Sequence, residues 1–208
     1  MEESFTQKKA DDGSSTPSTS SDRASAREIV VYAVVALGIA LFIRTFIASP
    51  WLVSGTSMLP NFQNNNYLLV DRLSYRFGNP KRGDVIVFGL PQMLSRDLIK
   101  RVIGLPGETV SVNNNHVTIV NAAHPKGFVL KEPYLDPADL GGFQESAVTL
   151  GTDEYFVLGD NRAVSADSRI WGTLPRQDII GKVFLRLFPF QEIGVLPAQV
   201  RYAEDTSK

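Results

Sequence analysis

The sequence predicts a mainly β protein of antiparallel sheets, preceded by one apolar helix near the N-terminus. Short runs rich in Val, Ile, Tyr and Phe recur after residue 51, and they are bounded by Gly, Pro or Asn, as in β domains with many turns. The 12 Pro and 16 Gly among 208 residues fit the same pattern. An unbroken apolar run over residues 29–43 indicates the helix.

The composition excludes several classes of function. The net charge of −1 and the isoelectric point near 6.1 give no sign of a clustered basic face, so we expect no nucleic-acid partner. The sequence has no Cys, which excludes a thiol nucleophile, a Cys-based zinc site and a disulfide. It also has no metal-ligand cluster and no Gly-rich phosphate loop, and we expect neither a metal nor a cofactor.

The N-terminal region divides into a polar part and an apolar part. Residues 1–28 are polar and lack an apolar period, which predicts a disordered tail. Residues 29–48 are predicted to form a transmembrane helix, in which Arg44 reaches the headgroups near one end. A cleaved signal peptide is an alternative, but cleavage after Ala48 would place Phe46 where a small residue is needed. A buried core helix is another, but the run shows no polar stripe before Arg44.

The flanking charges predict the orientation of this helix. Arg23 and Arg27 precede it, and after Arg44 no Lys or Arg occurs before Arg72. Because basic residues stay on the cytoplasmic side, we expect a cytoplasmic N-terminus and an extracytoplasmic domain over residues 49–208. The protein is then predicted to cross the plasma membrane once, and the outer part is long enough for one domain with a single core.

The strands are predicted in order along this domain. Six β-type runs are bounded by Gly, Pro or Asn: 67–70, 84–88, 97–103, 109–112, 117–120 and 155–158. The three Asn at 113–115 predict a hairpin connection, because Asn tolerates the left-handed conformation. Residues 126–150 are predicted to form an irregular insertion, since Pro, Gly and acidic residues are scattered through them. A short helical turn is expected over 177–181, before a last strand over 182–188.

The first candidate for chemistry is Ser57, in the segment Val-Ser-Gly-Thr-Ser-Met-Leu-Pro that begins at Val53. Gly55 permits an unusual backbone conformation, so that a substrate carbonyl can approach exposed N–H groups. Pro60 ends the segment. An ordinary Pro-terminated turn is the alternative that this segment alone leaves open.

A serine hydroxyl needs a base to act as a nucleophile, and Lys100 is the candidate. Leu98 and Val102 share its face of a predicted strand, and apolar neighbours remove an amine from water and lower its pKa. His116 and His124 are weaker candidates because both lie in predicted loops. A lysine that extends from a strand edge into solvent is the alternative, which the strand alone does not exclude.

A third segment, Gly-Asp-Asn-Arg-Ala-Val-Ser-Ala-Asp-Ser-Arg at 159–169, completes a resemblance to the type I signal peptidases. Those Ser/Lys serine proteases cut signal peptides from exported proteins. The resemblance extends from the apolar helix to Phe190 in several blocks, including Gly-Leu-Pro-Gly-Glu after the lysine strand. It implies the β fold that signal peptidases share with LexA. It also implies that Ser57 is the nucleophile, that Lys100 is the general base and that Ser165 orients the lysine amine.

The resemblance also implies roles for the neighbouring residues. Met58 and Ile99 adjoin the dyad and are implied to line a shallow pocket for a small substrate side chain. Asp167 and Arg169 are implied to form a structural ion pair, and Asp160 and Asn161 a framework turn. The block over residues 82–85 is also implied to be structural. The chain departs from the family pattern at two positions near the serine. Gly55 replaces a serine that donates to the oxyanion in some members, and Asn61 replaces a common threonine.

These features predict a membrane-anchored serine endopeptidase that removes N-terminal signal peptides, with exported preproteins and the lipid bilayer as its partners. A self-cleaving repressor of the LexA type would need a DNA-binding N-terminus, where this chain has an apolar helix. The remaining alternative is a catalytically inactive, membrane-anchored β domain that binds exported segments. The presence of Ser57, Lys100 and Ser165 together favours the enzyme.

Overall fold

The structure, a computed structural model of the chain, describes residues 26–42, 48–90, 97–114, 116–141, 145–195, 199–200 and 202. The chain divides into two compact units, residues 1–40 and residues 41–208. The tail predicted to be disordered, residues 1–28, lies almost entirely outside the described residues.

Helix α1 (Ala26–Phe42) forms from the apolar run, and its side chains from residue 27 onward are exposed. Among the described residues, no helix combines the length and the apolar character needed to cross a membrane. The prediction that the helix extends to Ala48 is wrong, because Ala48 pairs with Asp71 as the first residue of a strand. Residues 43–47 lie outside the described residues.

In its described residues, the second unit is built from short strands with two short helices between them. The strands are β1 (Ala48–Leu52), β2 (Tyr67–Asp71), β3 (Val85–Gly89), β4 (Asp97–Gly104), β5 (Thr109–Asn113), β6 (His116–Val120), β7 (Phe128–Val129), β8 (Ser146–Thr149), β9 (Glu154–Leu158), β10 (Leu174–Pro175), β11 (Ile179–Phe188) and β12 (Gly194–Val195). The helices are α2 (Ser74–Phe77) and α3 (Ser168–Trp171). Single 3₁₀ turns occur at Pro137–Asp139, Arg176–Asp178 and Phe190–Glu192.

The strands form two antiparallel sheets, which confirms the predicted mainly β fold class. The larger sheet has the order β1-β2-β11-β3-β4-β9-β10, and β12 pairs with β11 outside this path. The smaller sheet has the order β7-β6-β5-β8. Every pair of strands is antiparallel.

Burial follows the alternation that a strand imposes on its side chains. Val110 and Val112 of β5 are buried, as are Val117 and Ile119 of β6, and their neighbours along each strand are not. These four pack in one apolar core. Strand β3 differs, since residues 85–88 are all buried, as a strand covered on both faces requires.

The six predicted strands are confirmed to within a residue or two at each end. Asn113 pairs with His116, and Asn114 has the left-handed φ of 48°, so the hairpin turn is also where the sequence predicts it. Two predictions are wrong in part. The last strand begins at Ile179, because the helical turn before it is shorter and ends at Asp178. The segment predicted to be irregular contains β8, which extends the small sheet beside β5.

Strand β4 holds the position that matters for the site. It pairs with β3 from Asp97 to Arg101, and with β9 only from Arg101 onward. Among the described residues, the first half of β4 therefore has a strand on one side only. Lys100 lies at the end of that open half.

Candidate active site

Ser57 lies in the loop between β1 and β2, which the loop's own contacts hold in shape. The Val53 amide donates to the Asn66 carbonyl at 2.9 Å, and the Phe62 amide donates to the Met58 carbonyl at 2.8 Å. The side chains of Met58 and Phe62 are buried in an apolar core. Ser57 is thus half-buried on a loop that is anchored beneath it.

The fold brings Ser57 and Lys100 into direct contact. The Nζ atom of Lys100 lies 2.8 Å from the Oγ atom of Ser57, and it donates to its neighbouring Ile99 carbonyl at 3.0 Å. The Ser57 carbonyl accepts a hydrogen bond of 3.0 Å from the Asn161 amide. Three segments that are far apart in the sequence therefore meet at Ser57, Lys100 at its hydroxyl and Asn161 at its carbonyl.

Lys100 is nearly inaccessible to water, with 3% of its surface exposed. Val102 and Leu98, which the sequence predicts on the same strand face, pack in one apolar cluster. Burial lowers the pKa of Lys100 to about 8, although the charges of Asp167 and Asp160 act in the opposite direction. With that pKa, about a tenth of the amine is neutral at pH 7, and the neutral amine can accept a proton.

Ser165 lies beside the serine loop, but it does not form the hydrogen bond to the Lys100 amine that the resemblance implies. A side chain at Gly159 would collide with the Ser165 side chain and with the Ser57 carbonyl, so both approach the same glycine. Among the described residues, the Ser165 Oγ atom is buried without a hydrogen-bond partner. The hydrogen bonds of Lys100 go to Ser57 and Ile99 instead.

The predicted ion pair between Asp167 and Arg169 is present, with Nε and Oδ1 2.8 Å apart. The other oxygen of Asp167 accepts the Gly159 amide at 3.0 Å. Because Gly159 contacts Ser57 as well, this ion pair supports the backbone behind the serine. In the block over residues 82–85, Arg82 pairs with Glu108 at 2.7 Å.

The two residues predicted to line a substrate pocket differ in exposure. Met58 is 1% exposed and belongs to the core, so it offers almost no surface to a ligand in this structure. Ile99 is half-buried on the open half of β4. His116 and His124 are both exposed, although His116 is the first residue of β6 and does not lie in the predicted loop.

Tyr134 is part of the site although the sequence places it in the irregular insertion. Its ring covers the guanidinium of Arg101 at 3.9 Å. Arg101 directly follows Lys100 in the chain. Its carbonyl accepts the Asn61 side-chain amide at 2.9 Å. The only signal in the sequence is an aromatic residue among prolines, which does not reveal its partners.

The sequence profile of the family described as "Signal peptidase, peptidase S26" matches residues 26–188. The chain belongs to the signal peptidase family. Its relatives include the signal peptidase I of Leptolyngbya laminosa, which is 42% identical over 166 residues that cover 76% of this chain and 77% of the relative. The resemblance predicted from the sequence motifs is confirmed, and the chain is a serine peptidase.

Two further proteins are similar to this chain. The probable signal peptidase I-1 of Synechocystis sp. is 40% identical over 178 residues, which cover 82% of this chain and 86% of the relative. A crystal structure of a signal peptidase I from Enterococcus faecalis V583 is 32% identical, with a TM-score of 0.43 over 51% of this chain and 97% of that chain. The assignment to the signal peptidase family rests on the sequence matches.

Proposed function

We propose that this chain removes N-terminal signal peptides from exported preproteins, with Ser57 as the nucleophile and Lys100 as the general base. The observation that carries the proposal is the 2.8 Å distance between the Ser57 Oγ and Lys100 Nζ atoms. Burial adds to it, because an amine with a pKa of about 8 is a base near neutral pH. An ordinary surface lysine has neither property.

The chemistry follows from that contact. The neutral Lys100 amine takes the proton from the Ser57 hydroxyl while the Oγ atom attacks the carbonyl carbon of the substrate. The resulting ammonium then donates this proton to the leaving amine as the peptide C–N bond breaks. The amine is neutral again and takes a proton from water as the water oxygen attacks the acyl ester. The ammonium then returns this proton to the Ser57 oxygen as the ester C–O bond breaks, which releases the carboxylic acid product and restores both residues. The backbone N–H of Ser57 is the proposed oxyanion donor, since Gly55 has no side chain to contribute.

The open half of β4 provides a place for the substrate. A peptide in extended conformation can pair with Asp97 to Ile99 and add a strand to the sheet, which leads its carbonyl towards Ser57. Ile99 is the half-buried apolar side chain at this edge, and it packs against the core that contains Met58. A charged side chain there would lose its water without gaining a partner, so small apolar side chains are favoured.

Ser165 is proposed as an accessory group for the lysine. Its hydroxyl is buried and free to bond within the described residues, and it lies behind Gly159 beside Ser57. While Ser57 carries the acyl group, the Lys100 amine loses its bond to the serine hydroxyl. Ser165 can then accept a hydrogen bond from that amine and keep it aimed at the attacking water.

Membrane attachment is proposed through helix α1, with the N-terminus in the cytoplasm and the catalytic domain outside. Its support is the apolar run of α1 from residue 29 to residue 42, whose side chains are exposed. The catalytic domain carries an apolar patch of its own, formed by Leu52, Tyr67, Phe188 and Phe190, which are all exposed. Leu52 pairs with Tyr67 and Tyr67 with Phe188, so the side chains form one row across three strands. Such a row suits contact with the bilayer surface.

Incubation of the full-length protein with a preprotein in detergent tests the proposal. The wild type should release the signal peptide, whereas Ser57→Ala should not. Ser54→Ala, which changes an exposed serine of the same loop, is the matched control and should cleave normally. If the wild type binds the preprotein and leaves it intact, the chain is the inactive binding domain that the sequence leaves as an alternative.

A further inference from the structure

Asn61 lies four residues after Ser57 and joins two elements outside its own loop. Its side-chain nitrogen donates to the Oδ2 atom of Asp160 at 2.8 Å and to the Tyr134 carbonyl at 2.9 Å. Its own carbonyl accepts a hydrogen bond from Arg186. The serine loop is therefore attached to three separate parts of the chain at this one residue.

Asp160 extends the connection to the lysine strand. Its two oxygens accept Nε and a terminal nitrogen of Arg101 at 2.8 and 2.6 Å. Arg101 follows Lys100 directly on β4 and is completely buried. It is also fixed by the Gly83 carbonyl at 3.0 Å and by the Tyr134 ring. A two-point ion pair of this kind holds both partners in one orientation.

We propose that Asn61 is a positioning residue, which holds Ser57 at bonding distance from Lys100 through a bridge of three residues. This bridge, Asn61–Asp160–Arg101, runs from the serine loop to the residue next to the base. The proposal rests on the proposed function, because it concerns the geometry of the same dyad. Asn61 itself contacts neither the hydroxyl nor the amine in any of its hydrogen bonds.

The contacts of the loop explain why this bridge matters for geometry. The bonds from Val53 to Asn66 and from Phe62 to Met58 stay within the loop, so they keep its shape but not its place. Its place relative to β4 depends on contacts outside the loop: the bridge, the bond between the Asn161 amide and the Ser57 carbonyl, the bond from Arg186 to the Asn61 carbonyl, and the packing of Met58 and Phe62 in the core. Of these, the bridge alone leads to the residue next to the base. A displacement near 1 Å at a reacting atom costs on the order of 100-fold in rate.

The chain contains a matched control for this amide. Asn121 donates to the Oε1 atom of Glu108 at 2.9 Å, and Glu108 pairs with Arg82 at 2.7 Å. In both sites, a half-buried Asn donates to a carboxylate, and that carboxylate pairs with a buried Arg. Only the Asn61 site connects to the serine loop. Asn121→Leu should lower stability as Asn61→Leu does, without the same effect on the reaction.

The experiment measures kcat and KM for a signal-sequence peptide with the full-length protein in detergent, together with the thermal unfolding midpoint of each variant. Asn61→Leu should lower kcat by about 10- to 100-fold and leave KM within about 2-fold, because the loop moves while the substrate contacts remain. Asn121→Leu should keep the wild-type kcat at a comparable loss of thermal stability. Asn61→Thr keeps a hydroxyl donor for Asp160 and should recover most of the lost kcat.

Several results would overturn the positioning role. A wild-type kcat for Asn61→Leu, an equal loss of kcat in Asn121→Leu, or a change confined to KM would each do so. If Asn61→Leu does not fold, Asn61→Thr and Asn61→Ala decide, and kcat should be lower in Asn61→Ala, which keeps no donor for Asp160, than in Asn61→Thr, which keeps a hydroxyl. Failure of the proposed function is a different outcome, in which the wild type and Ser57→Ala are equally inactive on the same peptide.

Discussion

Replacing Lys100 by Met should make the protein inactive and more stable at neutral pH. The pKa of Lys100 is about 8 in the folded protein, against an ordinary value of 10.5. That difference corresponds to about 3 kcal/mol by which the folded state disfavours the charged amine. Solvent screens this penalty little, because 3% of the residue is exposed. Met fills similar space without a charge.

The hydrogen bonds of Lys100 reduce the gain. The amine bonds to Ser57 and to the Ile99 carbonyl, and each such bond contributes about 1 kcal/mol. The net expectation at pH 7 is therefore an increase of about 1–2 kcal/mol in the free energy of unfolding.

The burial of Lys100 also fixes the direction in which the stability of the folded protein changes with pH. Below pH 8 the amine is charged in both states, and the folded state bears the full penalty. Between pH 8 and 10.5 the unfolded state binds more protons than the folded state, so the stability of the wild type rises with pH. Above pH 10.5 both states are neutral and the penalty is gone. The wild type should thus gain about 3 kcal/mol relative to Lys100→Met across this window.

Urea unfolding of both proteins in detergent between pH 7 and 10.5 measures this difference. Lys81→Met, which removes an exposed lysine, is the control for a simple change of charge. Curves for wild type and Lys100→Met that stay parallel over the whole range would refute the reasoning, since they would mean that Lys100 is not held in an environment that disfavours its charge.

Four further outcomes follow from the same account. Cleavage should increase with pH as Lys100 loses its proton around pH 8, and an activity profile centred below about pH 6 would contradict a neutral amine base. Ser57→Ala and Lys100→Ala should each abolish cleavage with unchanged circular dichroism, and the double variant should be no worse, because the two residues act as a unit. A peptide library varied one and three residues before the cut should select small side chains, whereas efficient cleavage after Phe, Lys or Asp would show that the pocket is misplaced. Tyr67→Ser combined with Phe190→Ser should slow cleavage of preproteins in lipid vesicles but not of a short soluble peptide, and equal rates on both would argue against bilayer contact.

The sequence predicts the parts of the fold whose boundaries are marked by turn residues. Strand β1 has no such boundary, because Ala48 to Leu52 continue the apolar run of the helix and include Pro50. The start of β11 resembles a turn because of Gly181. In the structure this glycine sits in an irregularity of the strand, where a side chain would collide with the Asp71 backbone. Such a requirement depends on a neighbouring strand that the local sequence does not reveal.

The residues of the candidate site also differ in whether the local sequence can reveal them. Lys100 can be selected as a candidate from the sequence because Leu98 and Val102 share its face of the strand. The strand alone leaves a solvent-exposed lysine open, and the resemblance to the signal peptidases is what favours the base. Tyr134 and Asn61 cannot be selected in this way. Their importance comes from contacts with Arg101 and Asp160, which are far away in the sequence. Met58 was expected at the surface of a pocket, but its apolar side chain packs into the core instead.

The most direct test of the central claim is to trap the acyl intermediate on the nucleophile. The full-length protein is mixed with an activated ester of a signal-sequence peptide, quenched in acid and mapped by mass spectrometry. The account predicts one acyl group on Ser57, absent in Ser57→Ala and strongly reduced in Lys100→Met. An acyl group on another residue, or turnover of the ester by Ser57→Ala at the wild-type rate, would contradict it.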